Sequence, residues 1–306
     1  MNLRTILKDY LDMRRKLGYK LKTDESVLAN FITFFENQKK SYLTTHLAVK
    51  WAQKSISPNS GRRAECLTIL RGFAAYWKIV DPRTEIPPLR IVGPYRKRGT
   101  PHIYTEQQVA KILTATRKLP SKDSYTYWTL FGLLLATGMR IGEALALNDA
   151  DIDLKQGLIT IRKGKLDKPR ILPLHATTRR VLKQYVHKRN LMFLGSKPLA
   201  FFIISKGRRL SIQMAQYTFK KVMNMLGFKT LLQLRCVRLY DFRHTFATRT
   251  LTRIYQNGQD IDGKIHALST YLGHKYIQCT YWYLTNVPEL MSQVLSRLEN
   301  KMGGDL

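Results

Sequence analysis

Five prolines within residues 81–101 interrupt the helical pattern of this chain and divide it in two: Pro82, Pro87, Pro88, Pro94 and Pro101. Proline lacks a backbone donor and fixes φ, so a segment this rich in it cannot continue a helix and favours extended chain. The same segment also carries a basic cluster that includes Arg90, Arg96, Lys97 and Arg98. We therefore interpret 81–101 as a basic linker between a domain at 1–80 and a larger one at 102–306.

The two predicted domains differ in their patterns. Residues 1–80 carry apolar side chains at helical spacing and predict a helical domain. In the second domain a capping-box sequence at Thr105 starts a helix. Two runs rich in branched residues predict the strands of a hairpin. Together these patterns predict a mainly α fold with a small antiparallel β-sheet in the second domain.

The boundaries of the later elements follow from apolar spacing, glycine breaks and branched runs. Further helices are predicted over 125–137, from about Arg140 after a break at Gly138, over 211–226 and over 241–256. The strands are predicted over 158–162 and 170–174, and a C-terminal helix over 287–301.

The charge of the chain points to nucleic acid. Lys and Arg number 52 against 21 Asp and Glu, a formal net charge of +31 on 306 residues. The excess is spread along the chain, since residues 1–100 alone hold 20 basic and 8 acidic residues. Neutralising phosphates releases counterions and drives association. A ribosomal or other basic structural protein is the alternative that charge alone leaves open.

The cysteines and the N-terminus indicate the compartment. Cys66, Cys236 and Cys279 form no CxxC pair and have no histidines at zinc spacing, which is typical of reduced thiols. The first 20 residues are amphipathic and interrupted by acidic residues, so they predict neither a signal peptide nor a membrane span. We expect a cytoplasmic protein that does not contact membranes.

Four side chains in a fixed order define a chemistry. Arg140 lies in TGMRIGEAL, Arg243 in YDFRHTFAT and His274 in YLGHK, and Tyr283 follows nine residues after His274. Two guanidiniums can hold the non-bridging oxygens of a phosphodiester, a histidine can add a hydrogen bond, and a tyrosine hydroxyl can attack phosphorus. Such a set cleaves and joins DNA through a covalent protein–DNA bond. We expect no metal and no cofactor, because the arginines supply the positive charge and no Asp/Glu cluster suits a two-metal nuclease.

At this point the sequence resembles a known family, the tyrosine recombinases, also called phage integrases. The resemblance rests on three strings in order, ATGMRIGEALAL, DFRHTFATRTL and LSTYLGHKYIQCTYWYL, and covers roughly residues 100–290. It implies a two-domain DNA clamp, in which a helical N-terminal core-binding domain is followed by a mixed α/β integrase catalytic domain.

The resemblance also implies roles for individual residues. Arg140 and Arg243 would hold the scissile phosphate, and His274 would contact a non-bridging oxygen. The nucleophile of the family lies nine residues beyond the histidine of the LGH string, which selects Tyr283 over the nearby Tyr281. Glu143, one helical turn after Arg140, would orient that arginine.

A lysine in the hairpin completes the site of the family, where it protonates the departing 5′ oxygen. The turn between the predicted strands holds Lys163, Lys165 and Lys168. Counting back from Pro173, which aligns with the proline ending the second strand in the family, favours Lys165. Lys163 is the alternative, and all three lysines could instead contact backbone phosphate.

The chain departs from the family at one position. The family motif is His-x-x-Arg-His, and here Tyr240 stands where the first histidine is usual, before Arg243 and His244. We interpret His244 as structural support. A phenol with a pKa of about 10 is a poor base near neutral pH. Tyr240 can donate a hydrogen bond to a phosphate oxygen or simply pack beside the site.

These inferences predict a site-specific recombinase or integrase acting on double-stranded DNA through a 3′-phosphotyrosyl intermediate. The family implies a homo-oligomer, a tetramer on two DNA sites, or a mixed assembly with related recombinases. Two other functions are open: relaxation of a single duplex, as by a type IB topoisomerase, and DNA binding without catalysis.

Overall fold

The fold is taken from a computed structural model, which describes residues 2–55, 60–91, 101–162, 169–193, 199–205, 207–228, 237–257, 261–285 and 291–292. The chain forms two compact units, Met1–Gly99 and Thr100–Leu306. The described part of the first unit contains four helices: α1 (Leu3–Lys16), α2 (Lys22–Glu36), α3 (Thr45–Ser55) and α4 (Ser60–Val80).

The described part of the second unit is mainly helical, with a small sheet, as the sequence predicts. Its helices are α5 (Glu106–Arg117), α6 (Ser124–Thr137), α7 (Ile141–Ala146), α8 (Ala176–Met192), α9 (Ile212–Met225), α10 (Asp241–Asn257), α11 (Ile261–Leu272) and α12 (Gln278–Thr285). Its strands are β1 (Ile152–Asp153), β2 (Leu158–Ile161) and β3 (Arg170–Pro173). The predicted C-terminal helix at 287–301 lies outside the described residues apart from 291–292.

Aromatic side chains form the centre of the first unit. Phe31 of α2 packs edge-on against Trp51 of α3, with ring centroids 5.2 Å apart. Phe35 packs in the same way against Trp77 of α4 at 5.1 Å. The indole nitrogen of Trp51 donates to Asn30 Oδ1 at 2.9 Å, so its polar atom is satisfied. The apolar stripes seen in the sequence therefore meet in one core.

The first half of the predicted linker packs against the first unit. The Arg71 guanidinium of α4 donates from Nε to Pro87 O at 2.8 Å and from Nη2 to Pro88 O at 2.7 Å. These bonds hold Pro87 and Pro88 against α4. Residues 92–100 lie outside the described residues.

The start of α5 matches the capping box predicted from the sequence. Thr105 Oγ1 accepts from the Gln108 amide at 3.2 Å, and Gln108 Oε1 accepts from the Thr105 amide at 3.0 Å. Two backbone donors that a helix N-terminus leaves open are thereby satisfied.

The predicted hairpin is present, and β1 extends it to a three-stranded antiparallel meander. In its register Leu158 faces Pro173 and Ile161 faces Arg170. Side chains alternate across a strand, so Arg170 points to the same side as the buried Leu172, while Ile171 between them is 61% exposed. Arg170 thus lies on the inner face of the sheet, where a charged side chain needs partners.

Gly138 ends α6 in the left-handed conformation, with φ of 61°. This turn lets α7 begin at Ile141 with Arg140 at the N-cap position, close to the predicted start. Helix α6 packs against α10 through Phe131 and Phe242, whose ring centroids are 6.1 Å apart. The arginine-bearing ends of α7 and α10 are therefore attached to one core.

Gly132 within α6 and Gly138 at its end offer a matched test of this turn. An added Cβ at Gly132 has nothing within 4 Å beyond its own helix, whereas at Gly138 it would lie 2.8 Å from Phe246 Cγ. We expect Gly132→Ala to raise the free energy of unfolding by about 0.5–1 kcal/mol through helix propensity. Gly138→Ala should lower it by more than about 1 kcal/mol, because left-handed backbone and the clash both disfavour a side chain. Urea unfolding measures both, and shifts in the same direction would contradict this account.

Candidate active site

The C-terminal turn of α11 is the meeting point of three arginines. Three consecutive carbonyl oxygens each accept a hydrogen bond from a different guanidinium: Tyr271 O from Arg170 Nε (2.9 Å), Leu272 O from Arg243 Nη2 (2.7 Å) and Gly273 O from Arg140 Nη2 (2.9 Å). The last carbonyls of a helix have no partner within it and carry partial negative charge. The helix end therefore binds the three cations.

Glu143 holds two of these arginines from the other side. Its buried carboxylate accepts from the Arg140 amide at 2.9 Å and from Arg140 Nη1 at 2.7 Å. It also accepts from Arg170 Nη1 at 3.1 Å and Nη2 at 2.7 Å. Burial alone would raise the pKa of Glu143, but the bonds from Arg170 and Arg140 outweigh it and keep that pKa below its usual value. Glu143 therefore orients Arg140, as expected, and is shared with Arg170.

Arg243 of α10 is almost completely buried, at 2% exposure. Besides its bond to Leu272 O, it donates from Nη1 to Gly138 O at 2.9 Å. Burial and the charge of Arg140 lower its pKa, and a guanidinium stays protonated under such conditions. Its Nε has no hydrogen-bond partner among the described residues. A buried donor left open in this way is costly and suits a bound anion.

His274 follows Gly273, which ends α11 with φ of 65°. Its Nδ1 lies 2.7 Å from Thr280 Oγ1, a buried hydroxyl at the start of α12. Burial, followed by the positive charges of Arg243 and Arg140, lowers its pKa to about 3. His274 is therefore neutral at physiological pH in the free protein.

Tyr283 of α12 is buried, at 3% exposure, beside the two histidines. Its ring centroid is 5.4 Å from that of His244 and 6.3 Å from that of His274. Burial raises its pKa to about 12, while the charge of Arg243 and a hydrogen bond to it act in the opposite direction. Tyr281, the alternative nucleophile, is 37% exposed. Of the two tyrosines, the structure brings Tyr283 to the arginines.

Tyr240 lies at the rim of the same group, in the turn before α10. It is 41% exposed, and its ring packs edge-on against that of His244 at 5.0 Å. Its phenol is close enough to Tyr283 to raise the pKa of that hydroxyl. Tyr240 therefore lies beside His244, partly exposed at the edge of the site.

Two of the predicted residues cannot be located in this way. Lys165 and its alternative Lys163 fall in the hairpin turn, outside the described residues. The strands on either side of that turn are described, and β3 begins with Arg170, which bonds to Glu143. The hairpin base is thus attached to the site.

Sequence reasoning missed Arg170 and Thr280. For Arg170 a signal existed: in the predicted strand RILPL, alternation puts Arg170 on the same face as Leu172. An arginine on the inner face of a strand requires a carboxylate or carbonyl partner. For Thr280, six residues after His274, the sequence carried no comparable signal.

Comparison with known proteins assigns the chain to a family. The phage integrase family model matches residues 103–289. A putative integrase/recombinase of Sinorhizobium fredii is 37% identical over 306 residues, covering 97% of both chains. Tyrosine recombinase XerC of Chlamydia caviae is 31% identical over 217 residues, 71% of this chain and 65% of its own.

Solved structures with the same fold include recombinases bound to DNA. The XerH site-specific recombinase bound to palindromic difH substrate matches with a TM-score of 0.66 at 22% identity, over 92% of this chain and 80% of XerH. The Tn1549 transposon integrase in complex with transposon right end DNA matches with a TM-score of 0.66 at 16% identity, over 96% of this chain and 98% of the integrase chain. Among the described residues no helix has the length and apolar character that a bilayer span requires.

The fold is shared with the XerH recombinase and the Tn1549 transposon integrase. The family match covers more than half of the chain, and a relative at 37% identity extends along nearly all of it. The chain belongs to the phage integrase family and is a tyrosine recombinase that acts on DNA.

The depressed pKa of His274 predicts a pH dependence of stability. An unfolded histidine takes up a proton near pH 6.5, whereas folded His274 does so only at about 3. Between these values only the unfolded chain binds this proton, so the free energy of unfolding falls as pH falls through the window. In His274→Asn this contribution is absent, while the similar contribution from Glu143 remains. Urea unfolding of both proteins from pH 7 to 4 should show a shallower dependence in the variant; parallel curves would contradict the buried neutral histidine.

Proposed function

We propose that this protein is a site-specific recombinase that cuts and rejoins double-stranded DNA with Tyr283 as nucleophile. The observation that carries the proposal is the position of the Tyr283 phenol, buried beside Arg243 and His274 at the turn where the guanidiniums converge. A nucleophile next to a cation can ionise and attack a phosphate that the same cations hold.

Binding of the scissile phosphate is assigned to Arg140, Arg243 and His274. Each guanidinium uses only part of its five N–H donors on protein carbonyls and carboxylate, and the open Arg243 Nε adds a further donor. Because these arginines are fixed by the α11 turn before DNA arrives, they need little rearrangement when charge develops on the phosphate.

Strand cleavage then follows in one displacement. The Tyr283 oxygen bonds to phosphorus, the bond from phosphorus to the 5′ oxygen breaks, and a 3′-phosphotyrosyl ester remains. The phenol gives up one proton and the departing 5′ oxygen takes up one, so the step is proton-neutral overall. We assign the donor to Lys165, with Lys163 as the alternative. Attack by a 5′-hydroxyl of another duplex reverses the step and joins a new strand.

The rest of the chain is assigned to DNA binding and assembly. Residues 1–80 form a helical DNA-binding domain that, with 102–306, clamps the duplex. The net charge of +31 supports this, since both parts carry excess Lys and Arg. The active form is a homotetramer on two DNA sites, or a mixed assembly with related recombinases. Apolar residues recur at helical spacing in the predicted C-terminal helix, at Val287, Leu290, Val294 and Leu298, and we assign them to a contact with a neighbouring protomer. We assign the protein to the cytoplasm.

The nucleophile assignment predicts a clean loss of function. Tyr283→Phe should abolish covalent capture on nicked DNA and exchange between two duplexes, while DNA affinity stays unchanged, because only the attacking oxygen is removed. Tyr281→Phe is the matched control and should retain capture. Denaturing gels of the protein–DNA adduct, run with and without EDTA, measure both variants. Capture by the Tyr283 variant, or capture that requires metal, would refute the mechanism. Capture without exchange would favour topoisomerase-like relaxation.

The role of Tyr240 is a separate prediction. We propose that its hydroxyl donates a hydrogen bond to a phosphate oxygen. Tyr240→Phe should then slow single-turnover cleavage about 10- to 100-fold, the scale for losing a hydrogen bond to a charged group. Tyr240→His should remain active, because an imidazole N–H can make the same contact. An unchanged rate in the phenylalanine variant would mean that Tyr240 only packs against His244.

A further inference from the structure

Arg170 connects three elements that lie far apart in sequence. It stands at the first position of β3, and its side chain is only 9% exposed. Its Nε donates to Tyr271 O at the end of α11, and both terminal nitrogens donate to Glu143 of α7. A single guanidinium therefore spans the hairpin, the helix that follows Arg140 and the turn that carries His274.

The geometry of these bonds suits arginine and no other side chain. Two parallel bonds to one carboxylate, together with a third from Nε to a carbonyl, use the planar fork of the guanidinium. Lysine offers a single ammonium and cannot make all three contacts. Glu143 without Arg170 would still pair with Arg140, but its Oε2 would keep only the bond from the Arg140 amide.

On this geometry, and resting on the proposed function above, we propose that Arg170 is a positioning residue for strand cleavage. It fixes Glu143, and through it the Arg140 guanidinium, against the turn that carries His274. It touches neither the phosphate nor the nucleophile. Its effect is on where the charge of Arg140 lies relative to the scissile phosphate.

Gly273 provides an independent contact with Arg170. A Cβ added at Gly273 would lie 2.8 Å from Arg170 Nη1 and 2.9 Å from Cζ. The turn thus leaves room for the guanidinium only because residue 273 has no side chain. Gly273→Ala should displace the Arg170 guanidinium from the opposite side.

The test compares Arg170→Lys with a matched control, Arg189→Lys. Arg189 is also buried and also bridges a carboxylate and a carbonyl, Asp149 at 2.6 Å and Phe201 O at 2.9 Å. None of its hydrogen-bond partners, Asp149, Asn190 and Phe201, belongs to the candidate site. Both variants should lose stability, which thermal unfolding measures. Below the unfolding transition, with DNA saturating, only Arg170→Lys should slow single-turnover cleavage, by about 10- to 100-fold, as a small misplacement of a charged group does.

Two modified substrates identify how Arg170 acts. A methylphosphonate at the scissile position removes the negative charge that Arg140 neutralises, so the defect of Arg170→Lys should shrink on it. A 5′-bridging phosphorothiolate has a leaving group that needs no protonation, and the defect should persist there. A defect relieved only by the sulfur substrate would overturn the proposal, because it would place the effect at the hairpin lysine. An equal defect on the unmodified duplex and on both modified substrates would also overturn the proposal, because it would indicate a general loss of structure.

A double variant completes the test. Gly273→Ala should show the same substrate pattern as Arg170→Lys, because its Cβ crowds the Arg170 guanidinium and its left-handed backbone strains the turn that binds Arg140. The defect of the pair combined should be smaller than the product of the two single defects, because the two changes share the Arg170 contact. If Arg170→Lys fails to fold, Gly273→Ala carries the substrate comparison by itself. Wild-type rates in both single variants would refute the role of Arg170 while leaving the proposed function intact. A wild-type protein that forms no covalent adduct would refute the proposed function itself.

Discussion

The geometry of the site depends on the hydrogen bonds that three arginines make to the carbonyl oxygens at the end of α11. Guanidiniums from β3, the start of α7 and α10 all bind within three consecutive residues of that turn. An unpaired helix end and unpaired buried arginines would each be unfavourable, and here each satisfies the other. Because all three guanidiniums bind one turn, a shift of α11 would move them together, including the two that are proposed to hold the phosphate.

The sequence predicts the local elements around this site, but it does not predict that they meet at the end of α11. Local patterns predicted the capping box at Thr105, the turn at Gly138 and the hairpin, because each depends on neighbouring residues and their backbone preferences. Helices α8, α11 and α12 and strand β1 went unpredicted. Helix α8 is rich in basic side chains with only a weak apolar stripe, and β1 has two residues. The convergence of residues 140, 170 and 243 depends on tertiary packing, which periodicity does not report.

Resemblance to a family supplied the residues that chemistry alone would not have ranked. The nine-residue offset selected Tyr283 among several nearby tyrosines, and Tyr283 is buried near Arg243. The family pattern does not explain Arg170, whose partners come from α7 and α11. A buried charge of this kind is recognised only when the strand alternation and the partner are considered together.

The net charge of the arginine cluster can be compared with the charge of the group that it would bind. Arg140, Arg170 and Arg243 contribute three positive charges and Glu143 one negative charge, while His274 is neutral, which leaves two positive charges among these described groups. A phosphodiester brings one negative charge and so leaves the site unbalanced. In the proposed reaction, the phosphorane formed when a tyrosinate adds to that diester carries two. The cluster is therefore neutralised by the species at the top of the barrier rather than by the bound substrate, and this difference is what lowers a barrier.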